Sequence, residues 1–213
     1  MRWLRFHWFD VGAVIGVVLL AIGIGIRSEL AAMQVILWVS LLTLFAHQFE
    51  EWRWPGWFPG ALNIALFRSD RPDRYPLDSW SGFVVNVVVG WGGYVLAAVL
   101  WSHALWLAVA TMLVSIGNAV FHLVLMPIRA RIPYNPGMVT SAVLFVPCSI
   151  WFFVEASRTH LLTGGDLLLG IPLGIVLNAV GVVGVIMLLR DRDAEPFPDR
   201  MIAPARARIH VPA

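Results

Sequence analysis

The chain contains little charge, no lysine and a single cysteine. Only 13% of its 213 residues are charged, whereas 59% are hydrophobic, and a water-soluble domain of this size needs more polar side chains to cover its surface. The lone Cys148 excludes a disulfide framework within the chain. The formal net charge is only +2, so the basic surface that binds nucleic acid is also lacking. The composition therefore indicates a membrane protein.

Long uncharged runs recur along the sequence and predict an all-α bundle of about six transmembrane helices. The predicted spans are residues 11–26, 30–51, 82–101, 104–128, 139–157 and 167–189. A connection rich in proline and tryptophan, residues 53–80, separates the second and third spans. Its first half, 54–67, has the amphipathic and aromatic character of a short helix at the membrane interface. Residues 190–213 are charged and rich in proline, which predicts a flexible tail.

The arginines give the bundle an orientation. Thirteen of the fifteen lie in the N-terminal segment, the second-to-third loop, the fourth-to-fifth loop and the tail, whereas the alternating segments hold only Arg27 and Arg158. Because positive charge is retained on the cytoplasmic side of a membrane, both termini are predicted to face the cytoplasm. The chain is then a multi-pass protein of the inner membrane of the cell.

The second span ends in the sequence His47-Gln48-Phe49-Glu50-Glu51. Positions i, i+3 and i+4 of a helix share a face, so His47, Glu50 and Glu51 project together. Buried carboxylates at a membrane boundary need compensation, and a divalent cation such as zinc, iron or manganese accepts these ligands. The spacing is also similar to the H-x-x-E-H motif of the inverted zincins, with Glu51 in place of the second histidine and Glu50 as the base. Alternatively, the two glutamates meet water or pair with Arg53.

A polar stripe on the fourth span adds a second histidine. The side chains of Thr111, Ser115, Asn118 and His122 recur at steps of four, three and four residues, so they share one face, which must point into the bundle. His122 is predicted to lie at the same depth as His47 and to complete the metal site. Asn118, one turn deeper, is predicted to orient His122 or to bind a polar group of the substrate.

Three further residues on the same side of the membrane are candidates for substrate binding. Asn86 lies about one turn inside the third span, where its amide needs a partner in lipid. Tyr134 and Asn135 belong to the loop Tyr134–Gly137 that leads into the fifth span. Alternatively, the Pro-Gly pair of this loop is only a turn signal, and Thr140 behind it only satisfies backbone groups at the start of the helix.

With these motifs in place, the chain resembles the HXXEE-domain family of small bacterial integral membrane proteins. The resemblance rests on His47, Glu50 and Glu51, on the following WPGWFPG segment, on Asn118 with His122, and on the loop Tyr134–Gly137. It extends over roughly residues 31–189. The family has no settled activity, so the resemblance supports the choice of residues and leaves the reaction open.

The favoured hypothesis is an intramembrane metal-dependent enzyme, of hydrolase or oxidoreductase type, acting on a lipid-like or apolar substrate. The metal ligands would be His47, Glu50, Glu51 and His122, with Glu50 and Asn118 in catalytic roles, and no organic cofactor is expected. One alternative is a metal-free isomerase in which the same acids and imidazole shuttle protons. Another is a small transporter coupled to protons or cations. Membrane lipids are the expected surroundings in every case.

Overall fold

A computed structural model of the chain describes residues 1–209, and all regular structure within them is helical. Six helices are long and apolar enough to cross a membrane, which confirms the predicted all-α bundle. Two short helices and one 3₁₀ turn, Arg27–Glu29 between α1 and α2, are added to these six within the described residues. In chain order the helices are α1 (Arg2–Gly25), α2 (Ala32–Trp52), α3 (Phe58–Ala61, continued by the π-helical turn Leu62–Leu66), α4 (Ser79–Val99), α5 (Leu105–Ala130), α6 (Met138–Arg158), α7 (Gly164–Leu189) and α8 (Asp199–Arg208).

The first helix begins well before its apolar run. The predicted span starts at residue 11, whereas α1 starts at Arg2. Trp8 and Phe9 are buried, and the Trp8 ring packs edge-on against the Trp52 ring at the end of α2, with 5.1 Å between the ring centroids. The aromatic side chains that precede the hydrophobic run therefore extend the helix because they join the core.

Local hydrogen bonds set the starts of two long helices. Asp78 precedes α4 and accepts hydrogen bonds from the backbone N–H groups of Trp80 and Ser81, at 2.8 Å each. Thr163 precedes α7 and forms a reciprocal capping box with Asp166. Both pairs satisfy N–H groups that lack partners within the helix, so they define where each helix begins.

The connection between α2 and α4 is folded beneath the bundle. The helix α3 lies within the predicted interfacial segment, but Pro59, Gly60 and Ala61 are buried. The cover is α8, which approaches so closely that a Cβ on Gly60 would lie 2.8 Å from the carbonyl oxygen of Met201. Glycine is therefore required where these two short helices cross.

The helix α8 differs from the flexible tail predicted for residues 190–213. Its apolar face, Met201, Ile202 and Ala205, is fully buried, and the backbone N–H of Phe197 donates to the carbonyl oxygen of Asp73 at 2.8 Å. The segment is therefore held against α3 by these apolar residues, with Phe197 and Ile209 also buried in the same core. Residues 210–213 of the predicted tail lie outside the described residues.

The bundle has two halves that are packed differently. We call the half that contains α3, α8, the end of α2 and the end of α5 the site half, and the opposite half the far half. In the far half, α5 and α7 are in close contact, since a Cβ on Gly170 would lie 2.6 Å from the Trp106 carbonyl oxygen and one on Gly174 would lie 2.7 Å from Leu113 Cβ. An apolar core that includes Met33, Leu37 and Phe152 fills this half.

Candidate metal centre

Three ionisable side chains from two helices converge in the site half. His122 Nε2 lies 3.0 Å from Glu51 Oε1, and His47 Nε2 lies 3.5 Å from the same oxygen. One ligand atom from each of the three residues falls within 4.8 Å of the others, and all three residues are buried. The sequence prediction that His47, Glu51 and His122 lie at one depth therefore agrees with the structure.

Helix geometry explains how the three side chains meet. His47 and Glu51 are four residues apart on α2 and so lie one turn apart on the same face. His122 lies in a π-helical turn of α5, Phe121–Leu125, a type of local widening that is frequent at functional sites. The two imidazole rings are nearly perpendicular, with 4.9 Å between their centroids, so both present one nitrogen to Glu51.

Asn135 fixes the orientation and tautomer of His122. The Asn135 side-chain N–H₂ donates to the backbone carbonyl of His122 at 2.9 Å, which identifies the other amide atom as the oxygen. That oxygen lies 2.6 Å from His122 Nδ1, and because it can only accept, Nδ1 must carry the proton. In the neutral ring, Nε2 then keeps its lone pair, which is the arrangement that metal-binding histidines adopt.

Thr140 does the same for His47. Its hydroxyl donates to an acceptor, either Glu50 Oε2 at 2.5 Å or the Gly137 carbonyl at 3.3 Å. The hydroxyl oxygen is therefore the acceptor for His47 Nδ1, which lies 2.9 Å away. A neutral His47 thus also keeps an unprotonated Nε2 on the side of Glu51.

The two Nε2 atoms have no hydrogen-bond partner of acceptable geometry, although Glu51 is close to both. Two lone pairs and a carboxylate directed at one buried point repel one another unless a positive charge lies between them. The charge can be a divalent cation or protons on the rings. The arrangement could therefore hold either a divalent cation or a proton at this point.

Glu50 has a different position from the one that the sequence predicted. Its carboxylate accepts hydrogen bonds from the Tyr134 hydroxyl at 3.0 Å, from Val139 N at 3.2 Å, and from Thr140 N and Oγ1 at 2.8 and 2.5 Å. Four donors occupy both oxygens and tie α2 to the start of α6. This does not match the predicted roles of Glu50 as metal ligand and general base; its carboxylate positions Thr140 instead.

The predicted substrate-binding residues of the fourth-to-fifth loop serve the same framework. Tyr134 holds Glu50, and Asn135 holds His122. Burial and the neighbouring Glu50 carboxylate raise the pKa of the Tyr134 hydroxyl, so this group remains a hydrogen-bond donor. Both side chains orient the cluster, which the loop position alone did not reveal.

Asn118 and Asn86 lie in the wall of the neighbouring cavity. Asn118 donates to the carbonyl of Val114 in its own helix at 3.0 Å, so the predicted task of orienting His122 belongs to Asn135. The Asn86 amide donates to the Gly82 carbonyl at 2.8 Å and accepts from Gln48 Nε2 at 3.1 Å. Both asparagines remain close enough to contact a bound molecule.

Gln48 is a site residue that the sequence reasoning missed. Its amide oxygen accepts from Trp91 Nε1 at 2.7 Å while its nitrogen donates to Asn86. A hydrogen-bond network therefore connects α2 to α4 beside the histidine cluster. The available signal was its place inside the motif, next to His47, on a helix that is buried on most of its surface.

A cavity of about 470 Å³ opens beside the cluster. His47, Gln48 and Glu51 form part of its wall, and most of the rest is apolar, with side chains from α2, α3, α4, α5 and α7. This volume lies in the range found for small-molecule binding sites. Such sites are also mostly apolar with a few polar groups, as this cavity is. A substrate in the cavity would meet Glu51 directly.

Comparison with known protein families places the matched segment around the cluster. A family model described as "Protein of unknown function with HXXEE motif" matches residues 38–152, more than half of the chain. The matched segment includes all three residues of the cluster and the loop that orients them. No curated protein and no solved structure matches the chain.

Proposed function

We propose that this chain, which belongs to the HXXEE family, is an intramembrane metal-dependent enzyme acting on a lipid-like or otherwise apolar substrate. The family is one of unknown function, so the proposal rests on the site itself. The observation that carries it is the convergence of His47 Nε2, His122 Nε2 and a Glu51 oxygen at one buried point, with both Nδ1 atoms held by other partners.

The donor set suits zinc, iron or manganese. Two imidazole nitrogens and one carboxylate form the protein ligands of several catalytic zinc sites and of many iron oxygenases, with coordination positions left for water or substrate. A bound metal of this kind activates water or polarises a carbonyl, and iron adds oxygen chemistry. The single carboxylate ligand is Glu51, since Glu50 is fully occupied elsewhere.

The surrounding residues supply orientation and seclusion. Asn135 and Thr140 hold the two rings, and Glu50 holds Thr140 in turn. Phe58 of α3 packs over His122, with 5.3 Å between the ring centroids, and thereby separates the centre from the outer side of α3. The apolar cavity then delivers a hydrophobic substrate to a site that excludes bulk water.

The proposed location is the inner membrane, with the site half toward the cytoplasm. The arginine-rich segments all fall at the site half, because the ends of α2, α5 and α7 and the starts of α1, α4 and α6 lie there. The positive-inside rule supports this orientation and both termini in the cytoplasm. A cytoplasmic site gives the enzyme access to the cellular metal pool.

Elemental analysis of purified protein tests the proposal. Wild type should contain close to one equivalent of a transition metal, whereas His47→Ala, Glu51→Gln and His122→Ala should lose most of it, because each removes one ligand. His103→Ala is the matched control, since His103 lies in the exposed turn between α4 and α5, and it should keep the metal. Gel filtration would verify that each variant is folded.

Wild type that takes up no metal after reconstitution with zinc, iron or manganese would contradict the proposal. So would metal that stays bound in all three ligand variants. Glu51 lies between two imidazoles, which is also the arrangement of a proton relay. A metal-free protein whose activity depends on Glu51 would therefore favour the isomerase as the second candidate.

A further inference from the structure

The cavity is elongated along the helices. Thr111 and Phe121 both line it, and at 1.5 Å per residue they are about 15 Å apart along α5. His47 and Glu51 lie toward one end, and Gly93, Tyr94 and Thr111 lie toward the other. The Tyr94 hydroxyl is bonded to Ser115 Oγ at 2.6 Å and to the Thr111 carbonyl at 3.1 Å, so the far end presents no free hydroxyl.

The asparagine amides in the wall are also engaged with the protein. The Asn118 N–H₂ donates to Val114, and that of Asn178 donates to the carbonyl oxygens of Leu113 and Gly174 at 3.1 and 2.8 Å. The ionisable groups in the cavity wall are His47 and Glu51, which share one end, and the His47 Nε2 atom there has no hydrogen-bond partner. A molecule that fits this wall has one polar end and a long apolar body.

One side of the cavity borders the lipid-facing surface between α5 and α7. These helices are in close contact at Gly170 and Gly174 in the far half. In the site half, three residues both line the cavity and are exposed on the outside of the bundle: Val120 at 56%, Leu125 at 36% and Val183 at 41%. All three are aliphatic, so this opening suits entry from the hydrocarbon layer.

We infer that the substrate is a single-chain amphiphile that enters from lipid between α5 and α7, with its chain along the cavity and its polar head at Glu51. The inference rests on the proposed function and names its substrate class. The end of the cavity at Gly93 then limits the length of the chain that fits.

Gly93 is suited to this limiting role. A Cβ at this position would meet only Thr111 Cγ2, at 3.8 Å, so a larger side chain extends into the cavity without striking the backbone. A Cβ on the neighbouring Gly92 would meet nothing within 4 Å, and this residue does not line the cavity. The two glycines are adjacent in α4, and of the two only Gly93 faces the hydrocarbon chain of the proposed substrate.

Binding of saturated straight-chain primary alcohols of increasing length, whose uncharged head is not repelled by Glu51 when no metal is bound, tests the inference by equilibrium dialysis on the detergent-purified full chain. Affinity for wild type should rise with length until the cavity is filled. Gly93→Leu should weaken the longest probe by at least about tenfold and leave the shortest nearly unchanged, because it displaces methylene groups from the end of the cavity. Gly93→Ala should give a smaller shift, and Gly92→Leu should follow wild type.

Identical length profiles for wild type and the Gly93 variants, or the same shift in Gly92→Leu, would overturn the inference. Metal content of the same preparations separates this outcome from failure of the metal proposal. If the protein binds metal but its affinity for the probes does not depend on their chain length, only the amphiphile inference is contradicted. A length profile that shifts with Gly93 in a protein that takes up no metal supports the chain site and removes the metal function alone.

Discussion

The far half and the site half of the bundle share the six long helices but differ in what holds them together. In the far half, glycines let α5 and α7 touch, and apolar side chains fill the interior. In the site half, the same two helices border a cavity, and buried carboxylates, imidazoles and amides bond across α2, α4, α5 and α6. Close packing stabilises one half, and a polar framework shapes the other.

The difference shows how a small bundle remains stable although it buries ionisable side chains beside a cavity. Burying a carboxylate and two imidazoles lowers stability unless each has partners, and a cavity removes packing contacts. The dense far half and the short helices α3 and α8 supply the compensating burial. Variants in each region should therefore have separable effects on stability and on metal binding.

The largest effect should come from removing the tail. Deletion of residues 190–213 uncovers α3 and removes the buried Phe197, Met201 and Ile202, so the free energy of unfolding should fall by about 5 kcal/mol or more. Chemical denaturation in detergent would measure it. Asp193→Ala is the control, since its side chain is 94% exposed and its ion pair with Arg71 lies on the surface. If the deletion variant has the same free energy of unfolding as the full chain, α8 does not support the site half.

A smaller and more selective effect should separate the two adjacent glutamates. Glu50→Gln should lower the metal-free stability by about 3 kcal/mol, because one charged acceptor of four hydrogen bonds is lost. Glu51→Gln should change it by about 1 kcal/mol or less while abolishing metal binding. Thermal unfolding in the presence of a chelator measures both, and equal losses would contradict the division between positioning residue and ligand.

The smallest effect should distinguish two glycines of α7. Gly174→Ala places a Cβ 2.7 Å from Leu113 Cβ, so it should cost about 2 kcal/mol by forcing α5 and α7 apart. Gly181→Ala meets Leu177 and Val89 only at 3.4 Å, and the gain in helix propensity should make it neutral or slightly stabilising. Neither should alter metal content. Similar unfolding temperatures for the two variants would show that the far half is not the denser one.

The sequence was sufficient for the bundle and for the three converging residues. Uncharged runs identify spans because lipid excludes charge, and the i, i+4 relation of His47 and Glu51 follows from helix geometry. His122 could be added because the polar stripe on α5 had to face inward. These inferences depend on one helix at a time or on depth in the membrane, which the chain order provides.

The roles of the other site residues could not be predicted, because they depend on which loop packs beside each helix. Glu50 and Glu51 lie on the same face of α2. Only the hydrogen bonds that Tyr134 and Thr140 donate to Glu50 show that Glu50 is a positioning residue and that Glu51 is the candidate ligand. The choice between Asn118 and Asn135 as the partner of His122 has the same origin. The helix α8 was missed because its charged residues obscure three apolar positions that are buried only when α3 is present.

The contact between α3 and α8 has a consequence for the order of assembly. The residues of α8 are synthesised after all six long helices, so each new chain passes through a stage in which α3 has no cover. During that interval Gly60, two residues after the Phe58 ring that packs on His122, lacks its contact with Met201. Under the proposed metal function, an ion would reach His122 most easily before α8 docks on α3.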